Sequence, residues 1–148
     1  MRVLGLDLGS RRIGVAVSDP SGVLAFPREV LPRGRDHAVD HRAVAAIVEE
    51  VGAQRVIAGL PLSLDGREGP AARLVRQELG ELADVLAVPV EAHDERFSTV
   101  SADRVLTEAG LKAPARRKVV DPVAAAVLLQ SWLDMRAQAR REPVGEST

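Results

Sequence analysis

Two hydrophobic periods alternate along this chain, and the switches between them mark its elements. Residues 2–8 form a nearly unbroken apolar run that Asp7 interrupts near its end, the pattern of a strand covered on both faces. Residues 12–18 (Arg-Ile-Gly-Val-Ala-Val-Ser) read as a second strand. Asp19-Pro20-Ser21-Gly22 is a turn signal, and a third strand follows from Val23 to Val30. Short turns between the three predict an antiparallel meander.

The period then becomes helical. Leu31 to Arg35 is a loop, Asp36 is placed to cap a helix, and Val44, Ile47 and Val51 fall on one face before Gly52 stops it. Arg55 to Leu60 is a short strand. Pro61 to Gly69 is a loop turning at Asp65-Gly66, and Pro70 opens a helix that reaches Leu86. Val88 to His93 is a fifth strand. Ser98 or Thr99 caps a third helix ending near Gly110, and residues 111–120 read as a basic loop broken by Pro114. Asp121-Pro122 matches the N-cap and first position of a last helix, which runs to Arg140. One domain over residues 1–140 with a flexible tail over 141–148 follows. Strand–helix–strand units demand parallel neighbours with right-handed crossovers, so the expected fold is α/β: a five-stranded mixed sheet with helices on both faces.

Composition narrows the chemistry. The chain has 148 residues, 46% of them hydrophobic, enough for a packed core. Aromatic residues are only 2%, which argues against a base-stacking platform. Absence of cysteine excludes thiolate zinc sites and cysteine nucleophiles. No apolar run reaches the ~18 residues that span a bilayer, and no signal-peptide pattern opens the chain, so a soluble cytoplasmic protein is expected. The formal charge is -1, so nucleic-acid binding would need a local basic patch, such as Arg11 with Arg12 or Lys112 with Arg116, Arg117 and Lys118.

Candidate chemistry lies in acids at element ends. Asp7 ends the first strand, Asp94 and Glu95 end the fifth, and Asp121 opens the last helix. Ligands collect beyond the carboxyl ends of parallel strands, where these acids would meet. Convergent carboxylates need compensation, and hard divalent ions supply it while bridging to phosphates. Metal-assisted phosphodiester hydrolysis therefore fits better than serine or zinc chemistry. Each acid also has a plainer use: Asp7 in a turn, Glu95 in a salt bridge, Asp121 as a cap. His37, His41 and His93 form no metal-binding triplet, and the first two are expected on the surface of their helix.

Gly5-Leu6-Asp7-Leu8-Gly9 with Arg12-Ile13-Gly14-Val15-Ala16, then Gly59-Leu60-Pro61-Leu62 with Asp65-Gly66, then Asp94-Glu95-Arg96 with Ser98-Thr99, and finally Lys118 with Asp121, run in order over residues 2–135. With these segments the chain resembles the YqgF/RuvX family of pre-16S rRNA nucleases, also described as Holliday junction resolvase-like proteins. Ser10 and Arg11 depart from the residues common in that family and leave the acids untouched.

The resemblance implies an RNase H-like fold with strand order 3-2-1-4-5. It implies a catalytic and metal-binding set of Asp7, Glu95 and Asp121, holding one or two Mg²⁺ or Mn²⁺ ions, with Asp94 the second candidate for the middle ligand. The family motif favours Glu95; strand alternation groups Asp94 with Val88, Val90 and Ala92, groups Glu95 with Glu91 and His93, and does not decide between them. Arg12, Arg96, Lys118 and Ser10 are the implied substrate contacts. The implied activity is a nuclease acting at the 5′ end of pre-16S rRNA in ribosome biogenesis. Its partners are precursor rRNA and pre-ribosomal particles, and it works as a monomer or homodimer without a membrane. Three alternatives stay open: a Holliday junction resolvase acting on branched DNA, a non-catalytic RNA-binding assembly factor, and an actin-like ATPase, which 148 residues are too few to complete.

Overall fold

Strands β1 (Val3–Leu8), β2 (Arg12–Ser18) and β3 (Ala25–Pro32) form the expected meander, seen in a computed structural model that describes residues 1–97 and 113–141, the side chains of 113–121 excepted. Strand β1 pairs antiparallel with β2, and β2 with β3. The third strand starts at Ala25 rather than Val23 because the Asp19 carboxylate accepts the amides of Val23 (2.7 Å) and Leu24 (2.9 Å), holding both in the turn. As an edge strand β3 tolerates Pro27 and Pro32, which lack a ladder donor.

Helix α1 (His37–Val51) begins where Asp36 accepts the Val39 amide at 3.0 Å and ends at Gly52, whose φ of 70° suits glycine. Strand β4 (Arg55–Leu60) returns parallel to β1, and helix α2 (Pro70–Val85) leads to β5 (Val90–Asp94), parallel to β4. The order is β3-β2-β1-β4-β5, as expected. The fifth strand starts at Val90, two residues later than the hydrophobic run, because Pro89 carries no N–H for the ladder.

The last described helix, α3 (Ala113–Arg141), corrects the sequence reading. It contains Pro122 instead of starting there, so Asp121 is not its N-cap. A proline ring holds φ near the helical value and forfeits one backbone hydrogen bond, a cost of about 3 kcal/mol that the surrounding helix outweighs. The expected third helix from Ser98 or Thr99, and the tail beyond Arg141, lie outside the described residues.

Alternation along the central strands builds two apolar layers. Leu4, Leu6, Ile13, Val15, Val56, Ala58 and Leu60 pack against Val44, Ile47 and Val48 of α1 and Val75, Leu79 and Leu82 of α2. Val3, Ala16 and Ile57 face the opposite way, against Ala125, Leu129, Trp132 and Leu133 of α3. Gly5 lets α3 approach closely: a Cβ there would stand 2.8 Å from Leu129 Cβ and 3.2 Å from the Ala125 carbonyl. Arg136 reaches Met1 while Ala125 and Leu129 lie over Gly5, so α3 runs antiparallel to β1. No described helix is long and apolar enough to cross a membrane.

Candidate active site

Strand alternation decides which acids share a face. Val3 and Gly5 point toward α3, so Asp7, two residues further, does too. On one side Asp7 pairs with Gly14 of β2. On the other, the Leu6–Ala58 pair of the parallel ladder brings Gly59 of β4 alongside. Two glycines therefore flank the carboxylate within the sheet.

Glu95 fills the space that Gly59 leaves. It opens a 3₁₀ turn (Glu95–Phe97) directly after β5. Its Oε1 lies 2.9 Å, and its Cγ 3.0 Å, from where a Gly59 Cβ would stand, with Leu128 Cδ2 of α3 also at 2.9 Å. Its side chain thus lies over β4 on the α3 face, the face of Asp7. Both acids are nearly covered, Asp7 at 8% exposure and Glu95 at 4%.

Asp94 takes the other direction. It pairs with Leu60, which belongs to the α1/α2 layer. Its carboxylate accepts from Arg96 through the backbone amide (2.9 Å), Nε (3.1 and 3.0 Å) and Nη2 (2.6 Å). Those hydrogen bonds hold the Asp94 carboxyl below the usual range. Arg96, an expected substrate contact, is therefore committed to Asp94, and its Nη1 donates to the Leu64 carbonyl at 3.3 Å. The end of β5 is clamped to α3 as well. Ser131 Oγ donates to the Phe97 carbonyl (2.8 Å), so His93 Nε2 must donate to Ser131 (3.0 Å). Burial lowers the His93 pKa, in keeping with a neutral ring.

Among the other expected residues, Arg12 is half-buried and shares the face of Gly14 and Ala16, hence that of Asp7. Ser10 is exposed in the β1–β2 turn. Asp65 accepts the Arg67 amide at 3.1 Å in the turn where Gly66 has a φ of 87°, so its visible role is structural. Lys118 and Asp121 fall within α3, but their side chains lie outside the described residues, as do Ser98 and Thr99.

A buried polar cluster on the opposite face escaped the sequence reading. Arg33 donates to Glu78 through Nη1 (2.6 Å) and Nη2 (2.9 Å) and to Asp40 through Nη1 (3.1 Å). His41 Nε2 bonds Glu78 at 2.9 Å. His41, expected on the surface, is only 2% exposed; His37 is exposed and bonds Glu81 at 2.8 Å. The signal was available. Asp40 and His41 precede Val44 and Val48 at helical spacing, and Glu78 sits between Val75 and Leu82, so all three lie on buried stripes. Burial alone would raise the Glu78 carboxyl, but the hydrogen bonds from Arg33 and His41 and the Arg33 charge leave it lowered.

Ligand atoms of His37, His41 and Glu78 lie within 4.8 Å of one another, a spacing that an ion can bridge. Each already has a protein partner, and Arg33 supplies the positive charge that buried Glu78 needs, so the cluster is an ion-pair network as it stands.

Comparison with known proteins agrees with this architecture. A sequence profile of the RuvX family, described as "Holliday junction resolvase", matches residues 1–135. A protein of Mycobacterium sp. (strain KMS) named "Putative pre-16S rRNA nuclease" is 47% identical over 143 residues, 96% of this chain and 85% of its own length. One of the same name from Pelotomaculum thermopropionicum is 41% identical over 148 residues, 99% of this chain and 96% of its own. Among solved structures, T. thermophilus RuvC in complex with Holliday junction substrate superposes with a TM-score of 0.60 at 22% identity, covering 93% of this chain and 96% of that one. That likeness shows the fold, which is RNase H-like. On the profile match and the near-full-length relatives, the chain belongs to the RuvX family.

Proposed function

We propose that this protein is a divalent-metal-dependent endonuclease that hydrolyses phosphodiesters, acting at the 5′ end of pre-16S rRNA. The observation that carries the reading is the placement of two nearly buried carboxylates, Asp7 and Glu95, on one sheet face, with Glu95 over Gly59 of the strand beside Asp7. Relatives named as pre-16S rRNA nucleases support the substrate.

Paired carboxylates offer hard oxygen donors, which suits Mg²⁺ or Mn²⁺. Asp121 is the proposed third ligand: it precedes Ala125, which lies over Gly5, by one turn of α3, and because α3 runs antiparallel to β1 that preceding turn lies toward the Asp7 end of the strand. Asp94 is the weaker candidate because Arg96 already occupies its carboxylate. When bound, such ions supply charge neutralisation at the phosphodiester and activation of the attacking water. The protein's own part is to hold Asp7 and Glu95 in fixed geometry, with Arg12, Ser10 and Lys118 seating the backbone phosphates.

The test is cleavage of pre-16S rRNA and of a four-way DNA junction, each with and without Mg²⁺. Mg²⁺-dependent cutting of the RNA that disappears in Asp7→Asn, with unfolding unchanged, is expected. Full activity in Asp7→Asn overturns the mechanism, and cutting confined to the junction overturns the substrate.

A further inference from the structure

We propose that Arg33 is a positioning residue for the active site: it holds the β1–β2 turn that follows Asp7 and carries Ser10 into Arg12. The inference rests on the nuclease reading above.

Residues 9–11 are a short connection at the carboxyl end of β1, and Ser10 and Arg11 are exposed. The turn's internal hydrogen bonds tie it only to its own strands: Gly9 N donates to the Asp7 carbonyl (3.1 Å) and the Arg12 carbonyl (3.0 Å). Its anchorage to the rest of the fold, among the bonds described, comes from Arg33. Arg33 Nε donates to the Gly9 carbonyl at 2.9 Å, and the Arg33 amide donates to the Arg11 carbonyl at 2.9 Å.

The guanidinium is itself immobilised from two helices. Glu78 of α2 takes it through both oxygens, and Asp40 of α1 takes Nη1 while accepting the Gly34 amide at 2.7 Å. One rigid fork thus ties the helical layer to the edge of the sheet where Asp7 sits. Its charge is more than matched by two carboxylates, so it adds no positive field for substrate. Arg33 therefore acts through Gly9 and Arg11, fixing the backbone that carries Ser10 and Arg12, and not by attracting phosphate.

That distinction gives the test. Arg33→Met combined with Glu78→Gln removes both charges of the bidentate pair, the amide oxygen that Glu78→Gln introduces still accepts from His41, and Asp40 on α1 keeps, among the described residues, only the Gly34 amide as its donor. In the full-length protein the double variant is expected to unfold at a lower temperature, because buried Asp40 loses its Arg33 partner, and to stay folded at the assay temperature. It should lose about 10–100-fold in kcat on pre-16S rRNA with Mg²⁺, the scale of a small misplacement near the chemistry. KM and the salt dependence of binding should stay close to wild type, because no phosphate contact is lost. Amide hydrogen exchange at residues 9–12 should quicken.

Wild-type kcat in the folded double variant overturns the proposal, as does a changed salt slope with unchanged kcat, which would make Arg33 a phosphate contact. If the wild-type protein itself cuts no RNA, the nuclease reading falls. Exchange at residues 9–12 then decides the positioning role alone, and unchanged exchange overturns it. Should the double variant fail to fold, Arg33→Lys keeps the charge next to Glu78 but puts one nitrogen in place of the three that bond the Gly9 carbonyl, Asp40 and Glu78. It should reproduce the kcat loss, and wild-type kinetics in Arg33→Lys would equally overturn the role.

Discussion

Gly59→Ala tests the geometry of the acidic pair without touching a carboxylate. A Cβ on residue 59 would stand 2.9 Å from Glu95 Oε1, 2.9 Å from Leu128 Cδ2 and 3.0 Å from Glu95 Cγ. Ordinary contact begins near ~3.6 Å, so Glu95 must retreat by about 0.7 Å. Neither neighbour has open space to take, since Glu95 is 4% and Leu128 1% exposed. Overpacking of this kind costs about 1–3 kcal/mol. Replacing glycine within a strand returns about 0.5–1 kcal/mol of backbone entropy. The net loss is then at most about 2.5 kcal/mol, which lowers the unfolding temperature by up to roughly 8 °C. The effect on catalysis should be larger, because with Glu95 as the proposed metal ligand a displacement of that size lowers kcat about 10–100-fold. Thermal unfolding and single-turnover cleavage of pre-16S rRNA, measured on the same preparation, separate the two. A variant with wild-type kcat and a clear loss of stability would show that Glu95 is packed there for structural reasons only.

Glu78→Ala, which leaves Arg33 without its bidentate partner, should cost about 3–5 kcal/mol in urea unfolding, and Glu78→Gln less; equal costs would refute the ion-pair account. Because the folded Glu78 carboxyl is held below its ordinary 4.5, its contribution is complete above that pH and is lost as pH falls through the lower folded value. Urea midpoints of wild type should therefore fall below about pH 4.5, and the slope there should flatten in Glu78→Gln. Gly5→Ala should destabilise by about 1–3 kcal/mol or more, since its Cβ would meet Leu129 Cβ at 2.8 Å and a backbone carbonyl at 3.2 Å that can retreat only if α3 moves. Trp132→Phe removes the 2.8 Å bond from Nε1 to Glu91 and should cost about 1.5–3 kcal/mol by thermal unfolding.

Most of the architecture was legible before any coordinates. The apolar run to Leu8, the Asp19-Pro20-Ser21-Gly22 turn, the Asp36 and Gly52 caps and Pro70 each encode a boundary locally, and a local signal needs no tertiary partner to be read. Where boundaries moved, a second interaction competed with the local one. Asp19 captured two amides from the start of β3, and α3 ran through the Asp121-Pro122 cap signal. Asp7 could be singled out from sequence because an acid at the end of a buried strand demands a reason.

The faces of the acids and the buried polar network belong to the tertiary structure. Period-two alternation permitted either Asp94 or Glu95 in a sheet covered on both sides. Ladder register and the Gly59 gap put Glu95 with Asp7 and sent Asp94 to Arg96. Glu78 stands 45 residues from Arg33 and 37 from His41, so no short window of sequence could bring it to Arg33, Asp40 and His41. Burial of polar side chains is tolerable only once their partners arrive, and that condition exists in the folded chain alone.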